Sequence, residues 1–133
     1  MNDRFKFRAW NKEDKKMYAV EGVYAYKDEC TQGGEVFLQW HKTSHYFPEQ
    51  VELMQCTGLK DKNGKLIYEG DILKAIFTTP HGKIIEKVCK VEFSRCAFWV
   101  RDGIRAFYLD NENCVYEVIG SIYENADLLK ECE

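Results

Sequence analysis

Three constellations in this 133-residue chain have residue types and spacing that could do chemistry. His41 and His45 stand four apart, the spacing at which two imidazoles on one helical face bind a metal. No third ligand follows at a recognisable spacing, and Pro48 argues against a helix there, so two loop histidines are the plainer reading. Asp61-Lys-Asn-Gly64 opens like a calcium loop, but the glycine required at position six would be Leu66 and the bidentate glutamate at twelve would be Ile72. A type I′ or bulged turn explains it better, with Asn63 and Gly64 tolerating positive φ. Glu69 and Asp71 could divide into an acid and a base. Gly70 between them marks a turn, whose backbone Asp71 is placed to hydrogen-bond.

Nucleophilic and nucleotide chemistry lack even this much. Ser94 and Ser121 sit outside any G-x-S-x-G elbow, and neither G-x-x-x-x-G-K-[ST] nor G-x-G-x-x-G occurs. The chain is therefore expected not to be an enzyme and to use no metal or cofactor. Nucleic-acid contact has more to recommend it, since small β-barrels bind single strands through aromatics set beside cations. Lys6, Arg8 and Trp10 share one face of a strand pattern, and Arg95, Trp99, Arg101 and Arg105 crowd a second region. Lys60, Lys62 and Lys65 ring the central turn. A net charge of −3 and a pI near 5.7 oppose a general polyanion binder, and favour buried tryptophans with solvated cations around them.

These residues must be positioned by a chain of ordinary globular composition, 45% hydrophobic and 31% charged, long enough for a single domain over residues 1–133 with its own core. The six cysteines, at 30, 56, 89, 96, 114 and 132, form no C-x-x-C pair and no dense framework. With no apolar h-region at the start and no long apolar run, neither a secretory signal nor a membrane span is expected. A cytoplasmic protein whose thiols mostly pack as small apolar groups is the expectation.

Phe5 to Trp10 alternates with the period of a half-buried strand, and the charged segment 11–16 suits a hairpin loop. Met17 to Tyr26 reads as a second strand bent at Gly22, and Glu35 to Trp40 as a third after the break at 31–34. His41 to Gln50 reads as loop with room for one helical turn. Further strands follow at 51–57, 71–77, 85–93, 97–100, 106–109 and 114–123, separated by turns at 61–64, 69–70, 78–82, 101–105 and 110–113. Asn125 is placed to cap a short final helix anchored by Leu128 and Leu129. Many short strands without a linker predict a mainly β fold: a small SH3-like or OB-like barrel with an N-terminal hairpin region and a short C-terminal helix.

Three blocks of this sequence carry a likeness. Phe5-Lys-Phe-Arg-Ala-Trp10 with Lys16-Met17, the central run from Leu53 to Leu73, and Glu117 to Leu129 together resemble the YopX-type proteins of phages and prophages in Gram-positive bacteria. Cys56 stands where that family more often has an aromatic, and Ala126 where it more often has proline. The resemblance implies a mainly β, phage-encoded cytoplasmic protein and supplies no catalytic residue to carry over. The expected role is a non-enzymatic accessory protein that binds a host or phage protein, or a second copy of itself as a homo-oligomer, with no membrane contact. A nucleic-acid-binding barrel is the alternative, and an enzyme of unrecognised type the third reading.

Overall fold

A computed structural model describes residues 6–20, 22–27, 34–41, 44–46, 51–102, 106–109 and 114–130, with 22–46 described at the level of the backbone. The fold is mainly β, with a half-barrel sheet, a second sheet and a short C-terminal helix, as expected. The chain groups into two compact units, residues 5–55 and 56–133, the second also taking in residues 1–4.

In the first unit, β1 (Phe7–Asn11) pairs antiparallel with β2 (Lys16–Val20) on one side and with the start of β6 (Val51–Lys60) on the other. Alternation puts Ala9 and Asn11 inside, and Ala9 packs with Val51, Tyr18 and Val20. Buried Asn11 builds the hairpin turn: its Oδ1 accepts the Glu13 N–H at 2.9 Å, and its carbonyl accepts the Lys15 N–H at 2.9 Å. The Tyr18 hydroxyl donates to Asp14 across the same turn. The charged segment is thus a hairpin loop, as its composition suggests.

A second sheet in this unit joins β3 (Gly22–Lys27), β4 (Gly34–His41) and β5 (Ser44–Tyr46). The run 17–26 is therefore two strands rather than one bent strand, and Gly22 opens the second. β5 corrects the expectation of a loop with a helical turn. His41 pairs with Ser44 and His45 with Gln39, so the two histidines lie on neighbouring strands and not on a helical face. Three residues are too few for a period to show, and pairing with β4 decides their conformation.

In the second unit, the end of β6 pairs with β7 (Leu66–Tyr68) through a shift in register at Gly58, whose φ is +85°. Thr57 secures the irregularity, its Oγ1 donating to the Ile67 carbonyl at 2.8 Å and accepting the Leu59 N–H at 3.1 Å. Strands β8 (Asp71–Thr78), β9 (Ile84–Ser94), β10 (Ala97–Arg101) and β11 (Ala106–Tyr108) form a meander. Strand β12 (Cys114–Ser121) returns to pair with β8, giving the order β11-β10-β9-β8-β12. One face of this sheet carries the core, including Ile67, Leu73, Ala75, Val91, Val100 and Tyr116. Cys56, Cys89 and Cys114 are buried free thiols, whereas Cys96 is exposed.

Helix α1 (Asp127–Lys130) closes the described chain. Asn125 does not cap it as expected: its Oδ1 instead accepts the Ser121 N–H at 3.3 Å, closing the turn that leaves β12. Gly120 makes room for this, since a Cβ there would lie 2.5 Å from that oxygen. Leu128 and Leu129 are half-buried.

Candidate functional site

Two carboxylates of the central block, Asp61 and Asp71, bond the backbone. Asp61, only 8% exposed, accepts the N–H groups of Asn63 and Lys65 on Oδ1, each at 2.9 Å, and that of Val118 on Oδ2 at 3.0 Å. Burial pushes its carboxyl upward, and these bonds outweigh burial and hold it below its ordinary range. Gly64 alone of the turn adopts positive φ, at +81°, and its N–H bonds the Asp61 carbonyl at 3.0 Å, which makes the turn the bulged form. Asp71 is 1% exposed and accepts the Tyr68 N–H at 2.7 Å, holding the Glu69-Gly70 turn. Both aspartates are buried. Among the described residues, no group of three or more His, Cys, Asp and Glu could hold a metal. No described helix is long and apolar enough to cross a membrane.

Asp61 does something further. Its bond to Val118, together with the Lys62 N–H bonded to the Tyr116 carbonyl at 2.9 Å, lays the β6–β7 turn along the outer side of β12. A Lys62–Glu117 ion pair at 3.1 Å reinforces the seam. One edge of the five-stranded sheet is in this way covered by the protein's own turn.

The other edge is β11, all three of whose residues are exposed. The Leu109 N–H bonds the Phe98 carbonyl at 3.1 Å, which fixes the phase of the ladder: Phe107 turns its backbone groups toward β10, whereas Ala106 and Tyr108 turn theirs outward. Aromatics flank this edge on both faces. Phe107, 41% exposed, lies on the core face 6.1 Å from Phe77, and Tyr108, 64% exposed, stacks on Trp99 at 4.2 Å on the opposite face. The Trp99 indole donates to the Ser94 carbonyl at 3.0 Å, tying the stack to the β9–β10 turn. At the apex of that turn Arg95 and Cys96 both adopt positive φ, at +50° and +63°, a two-residue hairpin turn built without glycine.

The cations expected to contact nucleic acid fall in both units. Lys6, Arg8 and Trp10 belong to the first, with Lys6 exposed and Arg8 and Trp10 half-buried. In the second, Trp99 and Arg101 share a strand face and Arg95 sits at the turn beside them, while Arg105 lies outside the described residues, as do the turn at 110–113 and positions 31–33. Arg101 is already engaged: its Nε meets Glu92 at 2.9 Å, and Lys90 meets the same carboxylate at 3.0 Å. Burial would raise the Glu92 carboxyl, but the two cations hold it below the usual carboxylate range. Lys74–Glu86 and Lys87–Asp102 pairs neutralise more of the sheet. Sequence spacing identified the aromatic and basic residues but missed Glu92 and Tyr108, which reach them only through strand register.

A family model described as YopX protein matches residues 6–130. Among solved structures, the chain is similar to protein yopX from Bacillus subtilis, with 22% identity, a TM-score of 0.60 and 97% of each chain covered. It is also similar to protein EF1440 from Enterococcus faecalis, with 26% identity, a TM-score of 0.51, and 93% of this chain and 96% of that one covered. No curated protein matches.

Proposed function

The chain belongs to the YopX protein family, and from that premise we propose that it is a non-enzymatic phage or prophage accessory protein. It works in the cytoplasm of the bacterial host as a protein-binding or self-associating module. The observation that carries this reading is the β11 edge, where exposed Phe107 and Tyr108 border a strand whose outward backbone groups meet no described residue. Asp71, one of the two carboxylates weighed for acid–base work, is buried and accepts the Tyr68 N–H of its own turn, which supports a role without catalysis.

Affinity capture from prophage-carrying cells, paired with light scattering of the purified protein, tests it. A specific protein partner or a defined oligomer is expected. A monomer that captures nothing at any accessible concentration contradicts it.

Nucleic-acid binding is the second reading, favoured by the Trp99–Tyr108 stack beside Lys90, Arg95 and Arg101. Its weakness is that Glu92 offsets one of these charges, which leaves few cations to neutralise successive phosphates. Salt-sensitive quenching of tryptophan fluorescence by oligonucleotides would promote it over the first.

A further inference from the structure

We propose that the β11 edge is a docking site for an extended, acidic peptide segment of a partner protein, which joins the five-stranded sheet as a further antiparallel strand. This rests on the protein-binding reading above and names the surface and the chemistry of its occupant.

The backbone supplies the first argument. Ala106 and Tyr108 present their N–H and C=O groups away from β10, spaced as one strand presents them to the next. The chain covers the equivalent groups of Tyr116 and Val118 on the opposite edge with its own turn, whereas no described residue covers those of Ala106 and Tyr108. Side chains supply the second. An added strand alternates its residues between faces, and at this edge each face offers an aromatic surface, Phe107 near Phe77 on one and Tyr108 on Trp99 on the other.

Size and charge choose among occupants. A three-residue strand spans about 10 Å. Two copies of β11 back to back would therefore cover far less than the roughly 1,200 Å² that a stable interface needs. A peptide strand needs no such area, because main-chain bonds and side-chain pockets hold it. The face that carries Trp99 and Tyr108 bears Lys90 and Arg101 against one carboxylate, Glu92, and the adjoining turn adds Arg95. That local positive excess, in a chain of net charge −3, selects acidic residues in the peptide.

The test uses the full chain, isotopically labelled, titrated separately with three probes followed by amide NMR. The probes are the blocked octapeptide Thr-Val-Glu-Val-Glu-Val-Thr-Glu, its counterpart with lysine for each glutamate, and an eight-nucleotide oligothymidylate. Saturable shifts centred on Ala106, Phe107 and Tyr108 are expected with the acidic peptide only. Ala106→Pro removes one outward N–H without breaking a β10–β11 bond and should weaken binding at least tenfold. Should that variant fail to fold, Phe107→Glu at an exposed position should weaken the acidic peptide by a similar factor through repulsion. No response to the acidic peptide, an equal response to the basic one, shifts confined elsewhere, or a response to the oligonucleotide alone would each overturn the proposal. Capture of the same cellular partner by wild type and Ala106→Pro alike would sink the edge while sparing the protein-binding reading; capture of nothing by wild type would sink both.

Discussion

Along β12 the outward carbonyl of Tyr116 and N–H of Val118 are taken by Lys62 and Asp61, whereas along β11 the outward groups of Ala106 and Tyr108 meet no described residue. Among the described residues, the same sheet thus ends in a sealed edge and an open one. The sealed edge is closed by a buried carboxylate of the central block, and this explains a cluster of charge and glycine that resembles a ligand loop but binds backbone. The open edge is short, strongly aromatic and set beside a strained turn. Bonds invested in architecture line one edge of the sheet, and the surface proposed for a partner lies at the other.

The contrast breaks most readily at Asp61. Asp61→Ala leaves three N–H groups without their charged acceptor and is expected to cost about 3 kcal/mol in urea unfolding. It should also speed hydrogen exchange at Val118. The same bond gives the sealed edge a pH dependence. The folded carboxyl lies below its unfolded value, so its stabilisation is complete above about pH 4 and is lost as pH falls through the folded value. Asp61→Asn should flatten that part of an acid-denaturation profile, and an unchanged profile would show that Asp61 is not its source.

Gly120→Ala is next. The new Cβ would collide with the Asn125 side chain that closes the turn beyond β12, at a cost of about 2 kcal/mol in thermal or urea unfolding. Near the open edge the effects should be smaller and can have the opposite sign. Cys96→Gly relieves a positive φ and is expected to stabilise the protein by about 1 kcal/mol. Ala106→Pro should cost less than about 1 kcal/mol, because the N–H it removes faces away from β10. A penalty as large as that of Asp61→Ala would mean that the β11 edge is as occupied as the β12 edge.

Most of this fold was legible from pattern alone. Alternation marked β1, apolar runs between turn signals marked β8, β9 and β12, and glycine-containing turns at 61–64 and 69–70 fell where Asn63-Gly64 and Gly70 placed them. Three features were not legible. β5 has too few residues to show a period, the bulge at Gly58 extends β6 past its apparent end, and the β9–β10 turn uses Arg95 and Cys96 where glycine or asparagine would have announced it. The candidate surface was half visible. Trp99, Arg95 and Arg101 stand out in the sequence, but whether Arg101 is available depends on Glu92, nine residues away and brought beside it by register. Asp61 is the clearest case: sequence spacing could reject it as a calcium ligand, but only the fold shows Val118, fifty-seven residues on, as its partner.

Residue-resolved hydrogen exchange on the full chain tests the difference between the edges most directly. Slow exchange is expected at Val118 and Phe107, whose N–H groups are bonded, and fast exchange at Ala106 and Tyr108, whose N–H groups point outward. Protection at Ala106 and Tyr108 equal to that at Phe107 would contradict it.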